Sequence, residues 1–164
     1  MFIISPRLGL CNQLQTVVKG ILLSIKYNRN IYIDKFQIDL NSEELVDINN
    51  ILDLNHINFF LENTIKTPIR ILKSINKNII NNLNRYYLPN INYDDISRLN
   101  YINKDIELNN HMDKIYLGNI VSLCTAKSFN CCINNTCNEN LYFFIMNNIR
   151  FALIFYSLKD YIKQ

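Results

Sequence analysis

Apolar positions follow two different periods along this chain. Phe2-Ile3-Ile4 is a short apolar run closed by Ser5-Pro6, and it predicts a strand over Phe2 to Ser5. After the turn Pro6-Arg7-Leu8-Gly9-Leu10-Cys11 the period changes. Leu14, Val17, Val18, Ile21, Leu22 and Ile25 recur at steps of three and four, one face of an amphipathic helix. Asn12 reads as its N-cap or a first-turn residue, and the helix ends near Tyr27-Asn28-Arg29-Asn30. Gly20 lies inside the helix at a cost of roughly 1 kcal/mol against Ala, so it is expected where the helix closely approaches a strand. Ile31 to Phe36 then alternates as a second strand. Strand, helix and strand within residues 1–36 make a βαβ motif with parallel strands and a right-handed crossover.

Beyond residue 36 the pattern predicts more helix. Asn41 with Glu44 resembles a capping box before a short helix. Ile51 to Asn63 carries a second apolar patch with Phe59, Phe60 and Leu61. Thr67-Pro68 reads as a helix start, with Ile69, Leu72, Ile75, Ile79 and Leu83 marking a helix to about Tyr87. Pro89 to Asn110 is polar and reads as irregular with a short helix, and Lys114 to Leu123 as a strand. Ser128 to Asn140 is a Cys- and Asn-rich loop, and a final apolar helix is expected within 139–160, from about Glu139 to Lys159. The expected architecture is therefore α/β: a Rossmann-like parallel sheet with flanking helices, formed by residues 1–164 as one domain.

Length and composition agree with one domain. A chain of 164 residues can bury roughly 70% of its unfolded surface without metal or disulfides. With 49% apolar and 19% charged residues it is not a disordered tail. The net charge of +3 comes from scattered basic residues, so no nucleic-acid partner is expected. Asn (28) and Ile (27) make up about a third of the chain, against 3 Gly, 3 Pro and 2 Ala. Such a bias suits an AT-rich genome, for example that of a large DNA virus. It makes many Asn residues surface fillers and the few Gly residues positions that the backbone needs.

The amino-terminal residues carry no basic segment and too short an apolar run for a signal peptide, so the expected location is cytoplasmic, the host cytoplasm if viral. The five Cys are then expected as reduced thiols. Leu141 to Leu158 is apolar enough to consider as a membrane span. However, Asn147, Asn148 and Arg150 interrupt it, and a central Arg costs about 2.5 kcal/mol or more, so no span is expected.

The candidate chemistry concentrates in the first βα turn. Ligands in open α/β folds sit outside the carboxyl ends of the strands, where a helix N-terminus offers free N–H groups to an anion. Gly9 would permit a tight turn, Arg7 would supply a planar cation, and Asn12 and Gln13 could both donate to and accept from sugar hydroxyls. Two of the three glycines of the dinucleotide fingerprint are missing. Asp34, ending the second strand, either reaches the crevice or is a solvated strand end. Cys131, Cys132, Cys137 and Cys124 lack a paired zinc spacing and a nearby His, so no metal is expected. Cys11 has no partner base close in sequence, the adjacent pairs Glu43-Glu44 and Asp94-Asp95 point apart, and His56 and His111 read as surface or cap residues.

The ordered run Arg7-Leu8-Gly9-Leu10-Cys11-Asn12-Gln13-Leu14, an apolar helix, and then Asn28-Arg29-Asn30-Ile31-Tyr32-Ile33 resembles the opening of the O-fucosyltransferase-like glycosyltransferases over about residues 2–36. The resemblance implies one Rossmann-like half of a GT-B enzyme, GDP-fucose as donor, a glycan or protein acceptor, and transfer without metal or other cofactor. Gly9, Asn12 and Gln13 are the matching positions, and Arg7 is a looser match. The family's donor-binding His-x-Arg element is absent, since His56 is followed by Ile57-Asn58 and His111 by Met112-Asp113. The expectation is thus an acceptor-side half. It would act with a separate C-terminal half or as a homodimer through the C-terminal helix, or be a non-catalytic remnant.

Overall fold

The computed structural model describes residues 1–7, 9–38, 44–76, 95–118, 120 and 140–154. In chain order its elements are β1 (Phe2–Ile4), α1 (Leu10–Tyr27), β2 (Ile31–Ile33), β3 (Phe36–Gln37) and β4 (Leu45–Val46). A 3-10 turn (Ile48–Asn50) leads to α2 (Leu54–Phe60), which a π-helical turn (Leu61–Ile65) extends. Then come β5 (Ile71–Leu72), α3 (Asp95–Leu108), β6 (Ile115–Gly118) and α4 (Asn140–Phe151). Four strands form one parallel sheet in the order β5-β2-β1-β6, while β3 and β4 make a separate antiparallel pair. The fold is α/β, with a parallel sheet flanked by helices.

Register explains which face of the sheet is buried under α1. Phe2 pairs with Ile31, Ile4 with Ile33, and Ile31 with Ile71, so these residues share one face. They are all buried, and α1 packs over them with Leu14, Val17, Val18, Ile21 and Leu22. Gly20 makes the approach possible. A Cβ there would lie 2.7 Å from Ile31 Cδ1 and 3.0 Å from Ile4 Cδ1, as the lone glycine inside the helix suggested. Ile3, Tyr32, Leu72 and Tyr116 occupy the opposite face.

Asparagine closes several backbone ends. Asn28 takes the left-handed conformation (φ 50°) after α1, while the Asn28 and Arg29 amides donate to the Ile25 and Ser24 carbonyls, a Schellman closure with Asn where Gly is usual. Asn58, buried on α2, donates from Nδ2 to the Ile71 carbonyl (3.0 Å) and accepts from the Ile71 amide (2.8 Å). These are the groups β5 turns away from β2, so one side-chain amide stands in for a neighbouring strand. Asn49 donates to the Lys73 carbonyl, and Asn30 accepts from the Arg70 amide. The reading of Asn as surface filler fails at these positions.

Other expectations change as well. The strand expected over 31–36 stops at Ile33, and Phe36 begins β3. Leu45 and Val46 form a strand where a capped helix was expected, and Asn41 lies outside the described residues. The helix expected from Thr67 does not form at its start. Ile69 and Ile71 are buried with exposed Arg70 between them, a period of two, and pairing with β2 makes this segment β5. Tertiary pairing overrides a short stretch of ambiguous period. The rest of that helix, from residue 77, lies outside the described residues. In the stretch expected to be irregular with a short helix, α3 runs for 14 residues.

The C-terminal helix ends at Phe151, well before Lys159. Its buried residues Tyr142, Ile145, Met146, Ile149 and Ala152 face inward, and α4 packs on α1 and α2. The chain then turns back. Asp53 donates to the Ala152 carbonyl (2.8 Å), Ile154 donates to the Ile51 carbonyl (2.9 Å), and Leu52 bridges Leu153. Phe143, Phe144 and Phe151 stay exposed. No helix among the described residues is long and apolar enough to cross a membrane.

Two substitutions test this packing. Gly20→Ala gains about 1 kcal/mol of helix propensity but overpacks two buried Ile tips at about 1–3 kcal/mol, for an expected net loss of about 1 kcal/mol in urea unfolding. An unshifted midpoint would mean that α1 does not sit this close. Asn58→Ala strips two partners from a buried strand edge and should cost about 2–4 kcal/mol, with faster hydrogen exchange at the Ile71 amide. A protected Ile71 amide in that variant would contradict the edge-sealing role.

Candidate functional site

The sheet order turns at β1. β2 and β5 lie to one side of it and β6 to the other. In open α/β sheets this reversal opens a crevice beyond the carboxyl ends of the strands. Three strand ends meet here, those of β1, β2 and β6. β6 reaches the edge through a bulge, since Ile3 pairs with Tyr116 but Ile4 with Gly118, which skips Leu117. Gly118 adopts φ 67°, where glycine is favoured, and its carbonyl accepts from the Ser5 amide at 3.0 Å.

The first βα turn brings the four sequence candidates to this edge. Gly9 is the N-cap of α1, with φ −63° and ψ 161°. That is ordinary extended backbone, so the tight-turn reason for a glycine does not hold here. A Cβ at Gly9 would meet nothing within 4 Å among the described residues, so their packing does not demand glycine either. Asn12 lies in the first turn of α1, and only its carbonyl is bonded, accepting from Thr16 Oγ1 at 3.2 Å. Its side chain is half-buried and makes no bond within the protein among the described residues. Arg7 donates from Nη1 to the Pro6 carbonyl (2.6 Å) and the Lys35 carbonyl (2.8 Å), tying the loop after β1 to the loop after β2. Its Nε and Nη2 donors make no bond among the described residues.

Gln13 has a different place from the other three. It is buried, donates from Nε2 to the Gln37 carbonyl (2.7 Å), and accepts from the Gln37 amide (2.8 Å). Its amide is an anchor for β3, the same device that Asn58 applies to β5. Gln13 thus holds the wall of the crevice, while Arg7, Asn12 and the α1 amides present donors.

The residues that periodicity undervalued lie on the opposite face of the sheet. Asp34 follows β2, and its amide donates to the Ile4 carbonyl (2.8 Å). The Ser5 hydroxyl lies 3.3 Å from Asp34 Oδ2 and 2.7 Å from the Tyr116 hydroxyl. Ser5 is buried, whereas Asp34 and Tyr116 are half-buried. The neighbouring Tyr32 phenol is held above its ordinary pKa, by burial first and then by the negative charges of Asp34 and Asp47. A signal did exist in the sequence. Ser5 and Asp34 each lie two residues beyond a core-paired strand residue, which puts both on the Ile3 and Tyr32 face.

Other candidates fall elsewhere. Cys11 is exposed in the first turn of α1. His56 begins α2, where Asp53 caps its amide, and it bonds Asn148 at the surface; His111 is exposed. Cys124, Cys131, Cys132, Cys137, Glu43 and Asp94 lie outside the described residues. No three His, Cys, Asp or Glu side chains gather as a metal site among the described residues.

The class these features define is an open parallel α/β domain with polar side chains gathered at the carboxyl edge where its strand order reverses. Comparisons with family models, with curated proteins and with solved structures give no match to this chain. The Gln13 anchor is directly testable. Gln13→Ala should speed exchange at the Gln37 amide by tenfold or more, that is by roughly 1.4 kcal/mol of local opening, with β1 and β2 unaffected. Unchanged exchange at Gln37 would show that β3 is held by other contacts.

Proposed function

We propose that this chain is a glycosyltransferase domain of the O-fucosyltransferase-like kind, one Rossmann-like half of a GT-B arrangement. It takes part in transfer from GDP-fucose to an acceptor hydroxyl without a metal. The observation that carries this reading is the open first turn of α1. Among the described residues, Gly9 has no neighbour where a side chain would lie, and Asn12 and part of Arg7 have no partners beside the unpaired first amides of α1. Such an array suits a phosphorylated, hydroxyl-bearing ligand. The parallel sheet order and the ordered Arg7 to Leu14 run support the same reading.

In the transfer, the acceptor oxygen attacks the anomeric carbon. The carbon–oxygen bond to the diphosphate breaks, and the acceptor proton passes to a base. The leaving diphosphate needs cations or N–H donors, which Arg7 and the α1 N-terminus would provide in part. The residues of a partner half would complete the donor site.

Calorimetric titration with GDP-fucose and with GDP tests the reading. Measurable binding is expected, weakened roughly two- to tenfold by Asn12→Ala and more by Arg7→Ala. Gly9→Ala should leave thermal stability within about 0.5 kcal/mol yet reduce binding, because the added methyl meets no described residue and would meet a ligand held there. No heat with either nucleotide at millimolar concentration, or unchanged affinity in all three variants, would overturn the reading.

A further inference from the structure

We propose that Asp34, Ser5 and Tyr116 form a binding site for the vicinal hydroxyls of a sugar at the carboxyl ends of β2, β1 and β6. The inference deepens the glycosyltransferase reading by giving the crevice a second subsite of opposite hydrogen-bonding character.

Proton direction carries the argument. Ser5 has a single hydroxyl hydrogen, and its oxygen lies between Asp34 Oδ2 (3.3 Å) and the Tyr116 hydroxyl (2.7 Å). An ionised carboxylate only accepts, so Ser5 donates to Asp34. The short contact to Tyr116 then has the phenol as its donor. The chain runs from Tyr116 to Ser5 to Asp34, and it uses up the hydrogens of both hydroxyls. What remains for a ligand is the second carboxylate oxygen of Asp34 and the phenol oxygen of Tyr116, both acceptors. Neither residue makes a further bond among the described residues.

Two acceptors held on either side of the Ser5 hydroxyl, from the strands that flank β1, select a ligand with two neighbouring O–H donors. They repel phosphate, which brings its own acceptors and negative charge, and the Asp34 and Asp47 charges that act on Tyr32 strengthen that repulsion. The first turn of α1, by contrast, offers N–H donors. One edge of the sheet therefore sorts a ligand by polarity, with anion toward α1 and hydroxyls toward Asp34. The β6 bulge has a role in this arrangement. It falls beyond the Ile3–Tyr116 pair and brings Gly118 onto Ile4 and Ser5, while the phenol reaches Ser5 from one residue-pair below. Half-burial keeps Asp34 and Tyr116 accessible at the edge while Ser5 is sealed between them.

The test is a titration of the isotope-labelled full chain with L-fucose, a neutral sugar with a cis diol, followed by amide chemical shifts, with inorganic phosphate as the parallel probe. L-fucose should move the Ser5, Asp34 and Tyr116 amides, and phosphate should not. Tyr116→Phe should weaken the sugar roughly two- to tenfold and Asp34→Asn roughly ten- to a hundredfold. Tyr116→Phe keeps the ring and decides the matter if the Asp34 variant does not fold. The proposal is overturned if L-fucose leaves these amides unmoved, if phosphate moves them equally, or if Tyr116→Phe binds the sugar like the parent. GDP binding without fucose shifts here would refute this site alone. Fucose shifts without GDP binding would refute only the nucleotide reading.

Discussion

The distance between α1 and the sheet governs the rest of the molecule. The helix lies directly on two Ile-rich strands, and its closest approach is at Gly20, where an added Cβ would meet the Ile31 and Ile4 Cδ1 tips. Everything at the carboxyl edge inherits its position from this contact. The helix axis set at Gly20 determines where the first turn of α1 ends, and so where Asn12 and Gln13 stand. A larger residue at 20 would have to displace those Ile tips. The site is thus supported by packing two helical turns away from it.

The second organising device is the side-chain amide used as a strand. Gln13 pairs with Gln37, and Asn58 with Ile71, each by one donated and one accepted hydrogen bond. An amide carries a donor and an acceptor at the spacing of a backbone residue, so it can complete a ladder without another strand. The strands involved are only two residues long. Such short strands have little pairing of their own, and the amides fix them. In a chain of this composition Asn is abundant, and some of that abundance does structural work.

The first 33 residues were legible because each signal there is local and repeated. The apolar run of β1, the three-and-four spacing of α1, and the αL-tolerant Asn28 all agree. β5 was misread because five residues cannot separate a period of two from one of 3.6, and only pairing with β2 decides it. The candidate loop was legible in place but not in role. Gln13 and Asn12 have similar chemistry, yet one is consumed by β3 and the other is not, and that difference depends on a strand 24 residues away. The Ser5, Asp34 and Tyr116 cluster was illegible for the same reason. It joins three strands whose neighbourhood follows from sheet order, and Tyr116 lies 111 residues from Ser5.

Asn58 also bears on solubility. Among the described residues β5 is the outermost strand of the sheet on its side, and an uncovered strand edge is a template on which other chains can add. The risk is greater in a protein rich in Ile and Asn, residues that suit the dry interfaces and side-chain ladders of cross-β fibrils. By occupying the outward amide and carbonyl of Ile71, Asn58 denies an incoming strand its first two hydrogen bonds. The residue type that makes the chain prone to self-association is thus the one that blocks it at this edge.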